Sequence, residues 1–259
     1  MAEILHDEIP KIDKWFIANK LMVNSSKTNY MVFKTKNRKL QDVPIQILLN
    51  GQQISQASVT KFLGVHLDES ISWSKHIEDV CLKISRAIGV LSRLRHFIPL
   101  NILIQLYNTL ILPYISYCTI IWGNCSDSLI NKVFILQKRA IRIITSSPPR
   151  TPSKPLFTKY NILTIHDIFK LQIASFMYMY FTKKLPTVFN NLFTLNSNYH
   201  NYNTRQQMAI HIPLLKYKLS RQSINLYGPK LWHSIPPDIK ASTTLQTFKR
   251  KFKYFLINS

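Results

Sequence analysis

The spacing of apolar residues changes near residue 70, and this change limits the possible folds more than any other feature of the chain. Before it, apolar runs are short and divided by turn-forming residues; after it, they recur at helical spacing over long stretches. Leu5, Ile9, Ile12 and Phe16 open the chain at helical spacing, with Trp15 beside them and Pro10 either starting or kinking the helix. Asn24-Ser25-Ser26 reads as a turn, and Tyr30-Met31-Val32-Phe33 as a short buried strand. Ile45 to Leu49, then Asn50-Gly51, then the residues to Ile54 predict a hairpin, because Asn-Gly tolerates the positive φ that a type I′ turn demands. Val59 to Leu67, with Gly64 inside it, predicts one more strand. Residues 1–70 therefore read as an α+β fragment, and the rest as mostly α-helical.

In the helical part, Trp73, Ile77, Val80, Ile84, Ala87, Ile88, Leu91 and Leu94 mark one face of a helix. Lys75, Lys83, Arg86 and Arg93 fall within an arc of about 80° on another face, and Asp79 shares that arc. Pro99 suits a helix start, followed by Leu103, Leu106, Leu110 and Ile111. Ser126 or Asp127 could cap a further helix with Leu129, Val133, Leu136, Ala140 and Ile144 on its apolar face and Lys132, Arg139 and Arg142 in a second basic arc. The prolines between Thr145 and Pro155 predict a linker or domain boundary. Beyond it, Ile165, Ile168, Leu171 and Ser175 predict a long helix, and Asn196 to Arg205 a polar loop. Gly228-Pro229 and Pro236-Pro237 punctuate the next segment, and Leu245, Phe248, Phe252 and Phe255 form a last helical stripe capped by Ser242 or Thr243. The expected divisions are thus 1–70, 71–145 (helical) and 146–259 (basic C-terminal region).

Charge narrows the function. The chain carries 34 Lys and Arg against 12 Asp and Glu, a net +22. The excess grows along the chain: 9 basic against 7 acidic in 1–70, 9 against 3 in 71–145, 16 against 2 in 146–259. A polyanion is the natural partner, since Lys and Arg release condensed counterions from a phosphate backbone. The alternative is a basic surface that docks an acidic protein. Arg205, beside Tyr199 and Tyr202 in the polar loop, is a further candidate contact, with the tyrosines available to stack on unpaired bases.

Other classes find little support. With 5 Gly, no G-x-G-x-x-G and no G-x-x-x-x-G-K-[ST], a glycine-rich phosphate loop is not expected. Cys81, Cys118 and Cys125 have no C-x-x-C spacing and read as thiols of a reduced, intracellular compartment, nucleus or cytoplasm. The acidic N-terminus lacks the pattern of a signal peptide. The most apolar stretch, Phe97 to Trp122, is broken by Pro99, Asn101, Gln105, Asn108 and Pro113, so it predicts a buried helix pair and not a membrane span.

Two-metal phosphoryl transfer needs converging carboxylates. The adjacent acidic pairs, Asp7-Glu8, Asp68-Glu69 and Glu78-Asp79, read as capping or solvated charges, because consecutive helical side chains diverge by about 100° and no third acid lies near Asp68 in sequence. Neither H-E-x-x-H nor Gly-x-Ser-x-Gly occurs, and His76, near the apolar face of its helix, reads as a hydrogen-bonded core histidine.

Four segments, in order, resemble the reverse transcriptase of non-LTR (LINE-type, jockey-like) retrotransposons. Trp15, Asn19-Lys20-Leu21, Asn24, Lys27-Thr28 and Met31-Val32-Phe33 resemble the region called motif D. Lys61-Phe62-Leu63-Gly64-Val65-His66-Leu67-Asp68 resembles the motif E hairpin, or primer grip. Trp73, His76-Ile77, Pro113 to Tyr117, Trp122-Gly123 and Gln137-Lys138-Arg139-Ala140 with Arg142 resemble the thumb and the region just after it. Tyr202-Asn203-Thr204-Arg205, Gly228-Pro229, Leu231-Trp232 and Ile235-Pro236 are similar to the C-terminal tail of such elements.

The resemblance implies a partial palm in 1–70 and a thumb in 71–145. It assigns Lys27 to the motif D lysine near the leaving pyrophosphate, and Phe62, Leu63, Gly64 and Val65 to holding the primer end. It assigns the basic arcs, Lys75, Lys83, Arg86, Arg93, Lys132, Arg139 and Arg142, to the template–primer phosphates. The Y-x-D-D motif and the first catalytic Asp are not among these residues, so no catalytic residue and no metal ligand is expected here. Mg belongs to the intact family polymerase, with no cofactor bound by this chain alone. The expected partners are RNA and DNA, with the missing N-terminal polymerase part as a further one and no membrane. A domesticated, non-enzymatic nucleic-acid-binding protein fits the same residues.

Overall fold

The computed structural model describes residues 2–24, 26–35, 47–49, 51–198, 209–212 and 223–258. The chain forms two compact units, Met1–Glu78 and Asp79–Ser259. The architecture is an α+β N-terminal part followed by helices, as the change of period implies.

The first unit opens with helix α1 (Ala2–Ala18), which runs through Pro10. Strands β1 (Asn29–Tyr30), β2 (Ile47–Leu49) and β3 (Gln52–Gln56) form a sheet in the order β1-β3-β2. Strand β1 runs parallel to β3, while β2 runs antiparallel to it with Leu49 opposite Gln52. That register leaves a two-residue connection, and Gly51 supplies the positive φ (71°) it needs. Ile47 and Leu49 alternate onto one face with Ile54, and Ile9, Phe16, Val23 and Tyr30 pack against them. The strand expected at Tyr30–Phe33 is shorter than its apolar run suggests: it ends at Tyr30, and Phe33 is exposed.

The single strand expected at Val59–Leu67 is instead a hairpin of β4 (Val59–Phe62) and β5 (Val65–Asp68), with Phe62 opposite Val65. The chain reverses at Leu63-Gly64, both at positive φ (45° and 84°). A leucine is an unusual first residue for such a turn, so the reversal carries no Asn-Gly signature.

Asp68 ends the hairpin and organises the next turn. Its carboxylate accepts hydrogen bonds from the N–H and hydroxyl of Ser70, the N–H and hydroxyl of Ser72, and the N–H of Trp73. These bonds hold a backbone that takes positive φ at Ile71 and Trp73 before helix α2 (Ser74–Leu94) begins. Helix α2 starts in the first unit and continues into the second.

The second unit continues with α3 (Leu100–Leu110), α4 (Leu112–Ser116), α5 (Thr119–Trp122), α6 (Asp127–Ile144), α7 (Ser153–Lys159), α8 (Ile165–Phe181), α9 (Ile224–Ser234), α10 (Pro237–Lys240) and α11 (Leu245–Asn258). Thr164 caps α8 by accepting from the Asp167 N–H. Helix α8 is the hub of the unit and packs against α4, α5, α6, α9 and α11. Ala174 and Tyr178 meet Ile235, Ile239, Phe248 and Phe252 on one side, and Phe169, Ile173 and Met177 meet Phe193 and Ile210 on another. None of the described helices is long and apolar enough to cross a membrane.

Several expected boundaries shift. The Pro-rich stretch is not linker throughout: Pro155 lies in the first turn of α7, where no amide N–H is needed for the helix. Gly228-Pro229 lies inside α9, where a Cβ on Gly228 would stand 2.8 Å from Met177 Sδ, so the glycine permits close packing on α8. The cap of α11 is Thr244, whose hydroxyl accepts from the Thr247 N–H, while the Ser242 hydroxyl donates to the Ile239 carbonyl.

The buried face of α6 is rotated from the expected one. Ile130, Val133, Gln137, Ala140, Ile141 and Ile144 are buried. Gln137 is fully buried: its Nε2 donates to the Tyr107 hydroxyl (2.8 Å) and the Leu163 carbonyl (2.8 Å), and its Oε1 accepts from the Ile165 N–H (2.9 Å). One amide therefore ties α6 to α3 and to the start of α8.

Candidate nucleic-acid interface

In the first unit the β4–β5 turn holds three of the expected contact residues. Phe62 and Leu63 are 61% and 75% exposed, so the tip presents apolar surface to solvent. Gly64 beside them is exposed too. The base of the hairpin is fixed where the tip is not: Val65 and Asp68 are buried, and the Glu69 N–H donates to the Ser58 carbonyl. Burial alone would raise the Asp68 carboxyl, but its bonds to Ser70, Ser72 and Trp73 outweigh this and hold it below the usual carboxylate range. His76 is buried, and its Nδ1 accepts from the His66 N–H at 3.4 Å. Lys27 stands exposed in the turn after α1, where its N–H donates to the Asn24 carbonyl.

The basic arc of α2 is partly neutralised. Lys75 pairs with Glu78 at 3.6 Å, and Lys83 pairs with Asp79 at 2.8 Å. Lys83 also lies over the Tyr114 ring at 5.5 Å. Arg86 and Arg93 are exposed and make no ion pair among the described residues. The i,i+3 and i,i+4 pairs were legible in the spacing, whereas the Tyr114 contact depends on the packing of α4.

On α6, Lys132 and Arg139 are exposed and form no ion pair among the described residues. Arg142 is half-buried, and its Nε donates to the Thr151 carbonyl at 2.8 Å, tying α6 to the Pro-rich stretch. Lys132 acts on the Cys81 thiol: burial raises this thiol, and the nearby ammonium partly offsets that. Cys81 itself sits about 160° around α2 from the middle of the basic arc. Arg205, with Tyr199 and Tyr202, lies outside the described residues.

No three His, Cys, Asp or Glu side chains gather at metal-binding distance among the described residues. The acidic pairs serve locally: Asp68 shapes the turn, Glu69 pairs with Lys34 at 3.3 Å, and Glu78 and Asp79 pair with lysines of α2. Cys125 is held as a thiol, pushed up to about 11 by burial.

Comparison with known proteins points to one class: the homologues found are RNA-directed DNA polymerases of Drosophila non-LTR retrotransposons. The particular relatives include the probable polymerase from transposon X-element of Drosophila melanogaster, 26% identical over 170 residues. They also include the polymerase from mobile element jockey of the same species, 24% identical over 147 residues, and the probable polymerase from transposon BS, 27% identical over 169 residues. The matches cover 64%, 56% and 64% of this chain but only 18%, 16% and 18% of those relatives, so the chain spans a small part of their length. No family model and no solved structure matches the chain.

Proposed function

We propose that this chain is the nucleic-acid-holding portion of a reverse transcriptase, binding RNA/DNA template–primer without the carboxylates that would let it polymerise alone. The reading rests on one observation: Arg86, Arg93, Lys132 and Arg139 stand exposed without an acidic partner among the described residues, on a chain of net charge +22. Such cations gain by replacing the counterions of a phosphate backbone. Lys75 and Lys83 contribute less, since an acid already offsets each. The apolar tip at Phe62 and Leu63, with the small Gly64, would sit against the primer end, and Lys27 near the leaving pyrophosphate. Arg250 and Lys251 on α11, together with Arg205, would add non-specific phosphate contacts. Mg would be held by carboxylates outside these residues.

Fluorescence anisotropy on an RNA–DNA hybrid tests the reading. Affinity should fall steeply with salt, and substituting Arg86, Arg93, Lys132 and Arg139 by Ala should lower the log–log salt slope by roughly 3 to 4, at about 0.9 for each phosphate no longer neutralised. An unchanged slope sinks the assignment. Primer extension on the purified chain tests the second half: magnesium-dependent incorporation would show that polymerisation is intact.

A second reading concerns the first unit. Trp15, Ile17 and Met22 are exposed there, as are Phe62 and Leu63, apolar side chains suited to covering by a protein partner, such as the remaining part of a polymerase. Co-expression with such a part should reduce dye binding to exposed apolar surface and raise solubility.

A further inference from the structure

The second unit holds a cavity of about 690 Å³ between α3, α4, α8 and α11 that the proposed function does not use. Its walls are apolar, with Ile104, Leu112, Ile120, Leu171, Phe176 and Met179 facing the space. The buried and half-buried polar side chains Tyr107, Gln172 and Ser175 at its edge are already engaged. Gln172 donates to the Ser116 carbonyl and accepts from the Ile120 N–H, the Ser175 hydroxyl donates to the Leu171 carbonyl, and Tyr107 is taken by Gln137. Asn108 and Asn161 stand exposed at its rim, but a base or an extended peptide reaching past them would leave its own donors and acceptors without partners, at a cost that apolar contact does not offset. An alkyl or aryl body carries no such demand.

Charge fixes the orientation. Lys249 and Lys253, one turn apart on α11, border the cavity, no Asp or Glu lines it, and neither lysine has an ion pair among the described residues. A volume of this size is typical of sites for small molecules. The geometry points to a binding site for a small amphipathic anion, with its apolar body between α3 and α8 and a carboxylate, sulfate or phosphate head on Lys249 and Lys253. The ligand comes from solution as a single molecule, because a concave space between helices cannot meet a flat bilayer.

Titration calorimetry on the full chain tests this with dodecanoate below its micelle concentration and dodecyltrimethylammonium as the probe of opposite charge. Dodecanoate should bind one to one, and the cation at least about tenfold more weakly. The double variant Lys249→Glu with Lys253→Glu should reverse that order, and Met179→Trp, which fills the cavity, should abolish dodecanoate binding with the circular dichroism spectrum unchanged. Equal binding of the two probes overturns the proposal, as does dodecanoate binding that survives the lysine double variant. Sedimentation with phosphatidylcholine–phosphatidylglycerol vesicles, or protection of both lysines from acetylation by single-stranded RNA, in either case without uptake of free dodecanoate, would also overturn it. Both lysines are on the surface, so the double variant remains informative if Met179→Trp fails to fold.

Discussion

The two units bury their apolar residues in different ways. The second surrounds α8 with aromatic and aliphatic side chains from several helices, and even its buried polar groups, Gln137 and Tyr107, satisfy each other. In the first, Ile47, Leu49 and Ile54 form one small described cluster, Val65, Trp73 and Ile77 are buried besides, and Trp15, Ile17, Met22, Phe62 and Leu63 are left in solvent. The described clusters of the second unit are thus larger than that of the first. The difference also separates two kinds of surface: the described apolar tip belongs to the first unit, and Arg86, Arg93, Lys132 and Arg139 to the second.

The comparison is open to measurement. Gln137→Leu removes one side chain but strands the Tyr107 hydroxyl, the Leu163 carbonyl and the Ile165 N–H in the interior, so urea denaturation should show the second unit losing about 3 kcal/mol or more. A smaller loss would mean that this core tolerates unpaired polar groups, erasing the contrast. Asp68→Ala should cost about 2 kcal/mol at neutral pH, through the loss of its turn and of the start of α2. The pH dependence has a definite sign. Because folding lowers the Asp68 pKa, its contribution is present above the unfolded value of about 3.9 and disappears as pH falls through the folded value. The wild type should therefore lose stability below about pH 4 more steeply than Asp68→Ala, and parallel melting curves would refute this. Leu63→Gly should stabilise the hairpin by about 1 kcal/mol, since the left-handed conformation penalises leucine. If that same variant weakens hybrid binding, the exposed leucine is retained for contact and not for folding. Smallest in energy, hydrogen exchange should be fastest at the β4–β5 turn and slowest in α6 and α8.

Much of this was legible in the sequence. The helical stripes of α2, α6, α8 and α11 and the β2–β3 hairpin follow from apolar periodicity and an Asn-Gly pair, and the change of period near residue 70 marks the shift from strands to helices. The β4–β5 reversal escaped the apolar pattern because its first turn residue is leucine, and only the resemblance of Lys61 to Asp68 to a motif E hairpin pointed to it. The rotation of α6 was hidden because Gln137 counts as polar in any pattern, although its partners come from 26 to 30 residues away. For the candidate interface, sequence spacing found the basic arcs, including the Asp79 within one of them. It could not show that Arg142 would bond to Thr151, because that depends on where another segment packs.

Gln137 has a consequence beyond stability. A helix in an oily interior can roll about its long axis with little change in apolar burial, but a side chain making three hydrogen bonds to two other segments permits only one rotational setting. Gln137 lies roughly opposite Lys132 and Arg139 on α6, so a slip by one residue, about 100°, would carry those cations toward the interior. The amide hidden at the centre of the unit thereby decides which way the charge on its outside faces.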